Sequence, residues 1–220
     1  MSAMDEIREN VCKLNIDLFR LGLVVWTSGN VSERLPDGDK FLIKPSGISY
    51  QELSPDQLVV CDLNGNVIEG DLAPSSDTAA HAYVYRHMAH VNGVAHTHSN
   101  YATGFAAANM AIPCALTAIA DEFGGDIPVG PFALIGDDSI GRGIVETLSA
   151  SRSPAVLMRN HGVFTIGNSA KSAVKAAVMC EDNAKSMFIA LSVSALQRID
   201  ETSIDFLYER YNNKYGQKGN

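Results

Sequence analysis

Apolar residues between about Met4 and Leu21 (Ile7, Val11, Leu14, Leu18 and Leu21) recur at helical spacing with charges between them, and Gly22 supplies a stop. The pattern then changes period. Val24-Val25-Trp26-Thr27 reads as a strand, Ser28-Gly29-Asn30 as a break, and a second strand starts at Val31. Pro36-Asp37-Gly38-Asp39 is a turn, and Lys40 to Lys44 alternates as a half-buried strand does. Pro45-Ser46-Gly47 breaks it. Leu58–Leu63 and Val67-Ile68 flank Asn64-Gly65-Asn66, whose residues tolerate positive φ, and predict a hairpin.

A second helix is expected from Pro74-Ser75-Ser76-Asp77-Thr78 to about Met88, with serine and aspartate as start signals. Gly93 to Ser99 forms a short strand ending in His96-Thr97-His98, after which Ser99 caps an alanine-rich helix reaching about Met110. Cys114–Ala120 reads as a strand, and Asp138–Leu148 as a short helix. Ala155–Met158 and Val163–Ile166 read as strands around Asn160-His161-Gly162. Ser169 to about Val193 is the longest helix, its stripe of Val174, Ala177, Val178, Ala184, Met187, Phe188 and Leu191 serving the core. A last helix spans about Ser203–Tyr211. Adjacent hairpins with helices on either side imply an α/β fold with a mainly antiparallel sheet. No composition shift marks a boundary, so one domain over residues 1–220 is expected.

Composition narrows the function. The 220 residues are 46% hydrophobic, enough for a sizeable core. A formal net charge of −8 argues against nucleic-acid binding but not against a phosphorylated substrate, since anion sites use a few local donors. Cys12, Cys61, Cys114 and Cys180 lack paired spacing and read as buried free thiols in a reducing cytosol. No apolar run approaches the roughly 18 residues of a membrane span, and the N-terminus lacks a signal-peptide pattern. A cytoplasmic protein without membrane or nucleic-acid partners is expected.

The candidate chemistry centres on His96 and His98. Residues two apart on a strand share a face and lie about 7 Å apart, close enough to converge on one ion. Imidazole suits zinc, and catalytic zinc takes three protein ligands plus an open position; His161 is the third candidate, brought in by folding. The plain alternative is a pair of polar residues on a solvated strand. Ser28-Gly29-Asn30, Lys44-Pro45-Ser46-Gly47 and Ser75-Ser76 could together cradle an anion, with Lys44 as a point charge; singly, each is an ordinary turn. Asp77 is either a favourable charge at a helix start or a metal ligand or base. Asp121 and Glu122 sit where the expected Cys114–Ala120 strand ends, as catalytic carboxylates and solvated turns both do. His81, His87 and His90 share one helical stretch and read as structural or surface residues. Tyr208, Tyr211 and Tyr215 gain a role only if the C-terminal segment docks. There is no GxGxxG after a strand, no Walker loop and no GxSxG elbow, leaving the three-histidine site as the sole engine.

Five ordered motifs carry a resemblance: Ser28-Gly29-Asn30-Val31-Ser32, Ile43-Lys44-Pro45-Ser46-Gly47, Pro74-Ser75-Ser76-Asp77-Thr78, His96-Thr97-His98-Ser99 and Asn160-His161-Gly162. The chain resembles the class II aldolase/adducin-like superfamily over about residues 6–217, and within it the L-ribulose-5-phosphate 4-epimerases. The resemblance implies an α/β/α sandwich around a largely antiparallel sheet and a homotetramer with sites between subunits. It implies Zn2+, or Mn2+ or Co2+, on His96, His98 and His161 with Asp77 near or on the metal. Gly29, Asn30, Lys44, Ser46, Gly47, Ser75 and Ser76 are implied as contacts to a phosphorylated ketopentose. Asp121 and Tyr215 are implied as opposing acid/base groups, Tyr215 reaching a neighbouring subunit. The implied reaction is epimerisation of L-ribulose 5-phosphate to D-xylulose 5-phosphate by retro-aldol cleavage and re-addition. The alternatives are a fuculose- or rhamnulose-phosphate type aldolase and a non-catalytic adducin-like module. Asp77, where those aldolases carry glutamate, and His96-Thr97-His98, where they tend to carry HNH, favour the epimerases. Ile119, and the stretch near Phe206, stand where the epimerases carry histidines.

Overall fold

The computed structural model describes residues 2–214. Helix α1 (Ala3–Arg20) starts at a reciprocal cap: Asp5 N–H donates to Ser2 Oγ, and Ser2 N–H to the Asp5 carboxylate. Its buried stripe is Val11, Cys12, Leu14 and Leu18. Strands β1 (Asn30–Arg34), β2 (Lys40–Ile43), β3 (Val59–Asp62) and β4 (Val67–Glu69) form a meander, with a 3-10 turn at Pro55–Gln57. Helix α2 (Thr78–His87) leads to β5 (Gly93–Thr97), α3 (Asn100–Ala107), α4 (Thr117–Phe123) and β6 (Val129–Gly130). Then come α5 (Ser139–Ser149), β7 (Ala155–Met158), β8 (Gly162–Gly167), α6 (Ala170–Val193) and α7 (Glu201–Lys214).

The strands make one sheet in the order β4-β3-β2-β1-β5-β8-β7-β6, antiparallel throughout except for β6 against β7. Strict alternation sorts its side chains. Phe41, Ile43, Val59, Val94, Val156 and Phe164 face α2 and α5. Val31, Leu42, Val60, Ala95, Leu157 and Val163 face the opposite layer, built from α1, α3, α4, α6 and α7. The expected α/β/α sandwich is what forms.

The sequence pattern misleads in two places. Val24–Thr27 is not a strand: Leu23 and Val24 are buried, but Trp26 turns out at φ 55° and is 81% exposed, and pairing begins only at Asn30. Cys114–Ala120 is not a strand either. Cys114 lies in a loop, and α4 opens at Thr117 and ends at Gly124 in the left-handed region. Short apolar runs fit either element, and here burial against α6 and α7 selects the helix. The two-residue strand β6 has no sequence signature. Helix α3 stops at Ala107 rather than near Met110, and the Ser99 hydroxyl does not cap it. The Glu181 carboxylate instead accepts the N–H groups of Tyr101 and Ala102.

Candidate metal centre

Strand β5 lies at the middle of the sheet, paired with β1 on one side and β8 on the other. His96 sits near its end, buried, and stacks on Phe164 of β8 with ring centroids 4.0 Å apart. The β7–β8 turn, with Asn160 at φ 58°, carries His161 to the same end. Ring centroids of His96, His98 and His161 are 4.5–5.3 Å apart, and one nitrogen from each falls within 4.8 Å of the others. Gly162 makes this approach possible: a Cβ there would lie 2.6 Å from Thr97 O and 3.2 Å from atoms of both His96 and His98. The three histidines separated in sequence meet as expected.

Their protonation suits ligation. Burial lowers the pKa of His96 to about 3 and also lowers those of His98 and His161, so all three are neutral at pH 7. The Val163 carbonyl lies 2.9 Å from His96 Nδ1, placing that ring proton on Nδ1 and freeing Nε2 as the donor atom.

Asp77 is the N-cap of α2, yet its side chain makes no capping bond. It turns instead to Asn30, whose Nδ2 donates to Asp77 Oδ2 at 2.8 Å and to Ser75 Oγ at 2.9 Å. Burial works to raise its pKa, but the imidazoles of His96 and His81 and the Asn30 amide outweigh it and hold the carboxyl low. Asp77 Oδ1 is buried and has no hydrogen-bond partner among the described residues. Three neutral imidazoles beside a buried carboxylate with a free oxygen form a donor set that fits Zn2+ or a similar divalent ion.

The three small-residue loops are stitched together beside it. Ser46 N–H donates to Ala73 O at 2.9 Å, and Ser75 N–H to Lys44 O at 3.1 Å. Tyr50 OH reaches the carbonyls of Ser28 and Gly29 at 2.7 and 2.9 Å. Gly29, at φ 75°, lies where a Cβ would meet His96 O at 2.7 Å, so the loop can press against β5 only with glycine. Lys44 is 1% exposed, lies 4.9 Å over the Tyr50 ring, and has its pKa drawn down to about 8 by burial. A cavity of about 310 Å³ unites Gly29, Lys44, Ser46, Gly47, Ser75 and Ser76 with Asp77, His96, His98 and His161; Ile135 completes its wall. Asn30 is buried behind this wall rather than lining it, as a brace for Asp77 and Ser75.

The remaining expectations scatter. Asp121 lies on α4, 3.5 Å from Arg210 of α7, and does not line the cavity. Glu122 pairs with Lys175 at 2.7 Å. Ile119 is fully buried core. Tyr215 lies outside the described residues. His87 and His90 border a larger groove of about 640 Å³ at the far end of β8, where no acid joins them. Of the structural and surface roles expected for His81, its position fits the structural one: it is fully buried, and Ser32 Oγ lies 2.7 Å from its Nδ1. No local pattern announces this, although His81 follows Asp77 at i+4 on one helix face.

The comparisons with known proteins agree with this geometry. A solved L-fuculose 1-phosphate aldolase has a TM-score of 0.89 to this chain, with 25% identity over 96% of this chain and 98% of that one. YgbL from Klebsiella pneumoniae, described as a candidate aldolase/epimerase/decarboxylase, has a TM-score of 0.83, with 28% identity over 94% and 100%. The L-fuculose-1-phosphate aldolase from Thermus thermophilus has a TM-score of 0.74 at 22% identity over 87% and 100%, a likeness of fold. The sequence pattern of the Class II Aldolase and Adducin N-terminal domain matches residues 9–188, the whole sheet and the helical layers apart from α7 and the ends of α1 and α6, and the chain belongs to that family.

Proposed function

We propose that the protein is a divalent-metal-dependent enzyme that breaks and re-forms a carbon–carbon bond of a phosphorylated ketose, and specifically an L-ribulose-5-phosphate 4-epimerase. The observation that carries the reading is one cavity joining three convergent imidazoles, a buried carboxylate and a desolvated lysine among small-residue loops. His96, His98 and His161 hold the ion, with Asp77 as a further ligand or a base beside it. The ion, Zn2+ or else Mn2+ or Co2+, supplies Lewis-acid polarisation of the ketose oxygens. Lys44, Ser46, Gly47, Ser75, Ser76 and Gly29 grip the phosphate through hydroxyl, ammonium and backbone N–H groups, with Asn30 bracing them.

The C4 hydrogen of such a ketose is not adjacent to its C2 carbonyl and is not acidic, so simple proton abstraction is a poor route to inversion. Instead, one acid/base group takes the C4 hydroxyl proton as the C3–C4 bond breaks. The aldehyde fragment, tethered by its phosphate, rotates. Bond formation on its other face, with a proton returned by a second group, completes the inversion. Asp121 and Tyr215 fill these two roles. The reading includes a homotetramer with sites between subunits, in which Tyr215 reaches a neighbouring subunit; within one chain Asp121 lies outside the cavity. Among the described residues the cysteines are buried free thiols and no helix is long and apolar enough to cross a membrane, which supports a cytoplasmic setting.

The second reading is an aldolase that releases its fragments, favoured by the likeness to an L-fuculose 1-phosphate aldolase. The same cavity serves both reactions, and Asp77 in place of glutamate tips the choice. The intact histidine set weighs against a non-catalytic module. NMR of metal-loaded protein with L-ribulose 5-phosphate tests the reading. D-Xylulose 5-phosphate without free fragments is expected. Free dihydroxyacetone and glycolaldehyde phosphate mean an aldolase, and no turnover with metal bound overturns both for this substrate.

A further inference from the structure

Beneath the metal centre runs a buried polar ladder that the reaction as described does not use. Asp77, His81 and Tyr85 recur every four residues along one face of the α2 segment, and Asn30, Ser32 and Arg34 recur every two along one face of β1. The two stripes meet rung by rung. Asn30 donates to Asp77, Ser32 Oγ lies 2.7 Å from both His81 Nδ1 and Tyr85 OH, and Arg34 donates to the Tyr85 carbonyl while its guanidinium lies 5.0 Å over the Tyr85 ring. Apolar residues would fill this layer without hydrogen bonds, so its polar content has to be satisfied or used.

The protons in the ladder have a direction. The buried Tyr85 hydroxyl has one acceptor among the described residues, Ser32 Oγ, and spends its proton there. Ser32 passes its proton to His81 Nδ1. A neutral imidazole that accepts at Nδ1 carries its hydrogen on Nε2. Burial keeps His81 neutral, with its pKa drawn down to about 4. His81 Nε2 is buried and has no partner among the described residues; neither do the acceptors Asp77 Oδ1 and Asn30 Oδ1, one rung above. One donor and two acceptors thus face a shared need, which one ordered water with about three polar partners would meet.

We propose that His81 is a positioning residue for the metal centre: Tyr85 and Ser32 fix its Nε2–H tautomer, and that hydrogen orients the Asp77 carboxylate from below. The inference rests on reading Asp77 as part of that centre. Two measurements test it. In metal-free protein labelled with 15N-histidine, long-range 1H–15N correlations should show His81 protonated on Nε2, and Ser32→Ala should abolish that single tautomer. In a Zn2+ competition titration, His81→Ala should weaken affinity about 10- to 100-fold, the range for lost outer partners of a metal site, while His81→Gln, which keeps a donor near the Nε2 position, should recover most of it. A purely structural His81 would lower the melting temperature in every variant and leave Zn2+ affinity within about twofold of wild type. That result, or a proton on Nδ1 in the wild type, overturns the proposal. If His81→Ala does not fold, His81→Gln and Ser32→Ala carry the comparison. If wild-type protein binds no Zn2+, the metal reading fails on its own, and the tautomer still decides this one.

Discussion

Lys44→Met keeps an apolar stem of similar length and deletes the ammonium, with its contact over the Tyr50 ring. Among the described residues Lys44 Nζ hydrogen-bonds only the carbonyls of Thr27 and Pro45, at 3.5 and 3.3 Å, and lies 4.9 Å over the Tyr50 ring; burial has drawn its pKa to about 8. A phosphate oxygen about 4 Å away interacts with such a cation by about 4 kcal/mol per unit charge at an effective dielectric constant near 20. Net of desolvation, a hydrogen bond to a charged group is worth about 1.5–3 kcal/mol. Phosphate affinity should therefore fall about 10- to 150-fold in Lys44→Met. The sign with pH follows from the depressed pKa. Lys44 is charged below about pH 8 and loses its proton above it, so its charged fraction drops about tenfold from pH 7 to pH 9. A phosphate monoester, with a second pKa of about 6, stays largely a dianion throughout. Calorimetric titration of glycerol phosphate into metal-loaded protein reads both effects. Wild-type affinity should fall about tenfold between pH 7 and pH 9, with uptake of about half a proton per phosphate at pH 8. Lys44→Met should show neither. Equal affinities for the two proteins, or a flat profile in the wild type, would refute the assignment of this cavity to phosphate.

Further outcomes follow from the same geometry. His98→Ala removes one imidazole of three and should lose both bound metal, by elemental analysis, and turnover. Gly162→Ala brings a methyl group against Thr97 O and the rings of His96 and His98; it should cost about 1–3 kcal/mol in denaturant unfolding and weaken Zn2+ binding, and wild-type values for both would contradict the close approach. Asp121→Asn and Tyr215→Phe should retain metal and lose rate, and full activity in both would remove them from acid/base roles.

Much of the sheet was legible because its faces are sorted by alternation: Lys40–Ile43, the Asn64 hairpin, the histidine strand and the Asn160 turn all stand where period and turn chemistry put them. The Val24–Thr27 stretch misled because apolar content there does not mean burial; two of its residues project outward from a turn. The candidate metal ligands were legible as residue types, yet nothing local in the sequence brings His161 to His98. That contact depends on β5 and β8 pairing across a long separation. For His81 the sequence left structural and surface roles open, because helical spacing alone does not tell which face of α2 meets the sheet, and its partner Ser32 lies on a distant strand. Asp121 shows the converse. Its type and setting suggested chemistry, and its surroundings in one chain are an arginine and a helix.

The register of β5 against β8 has a consequence for how the ion is handled. His96 is on one strand, His161 is at the entry to the other, and the pair is zipped from Gly93↔Gly167 to Thr97↔Val163 by main-chain bonds that involve no side-chain donor atom. In small zinc modules, folding waits for the ion. Here main-chain pairing of β5 with β8 sets the scaffold of the three imidazoles, so loading should be a separate, reversible equilibrium on a folded protein. Chelation should empty the centre while leaving the cooperative unfolding transition in place. Metal occupancy in the cell would then follow the supply of divalent ions rather than the history of the polypeptide.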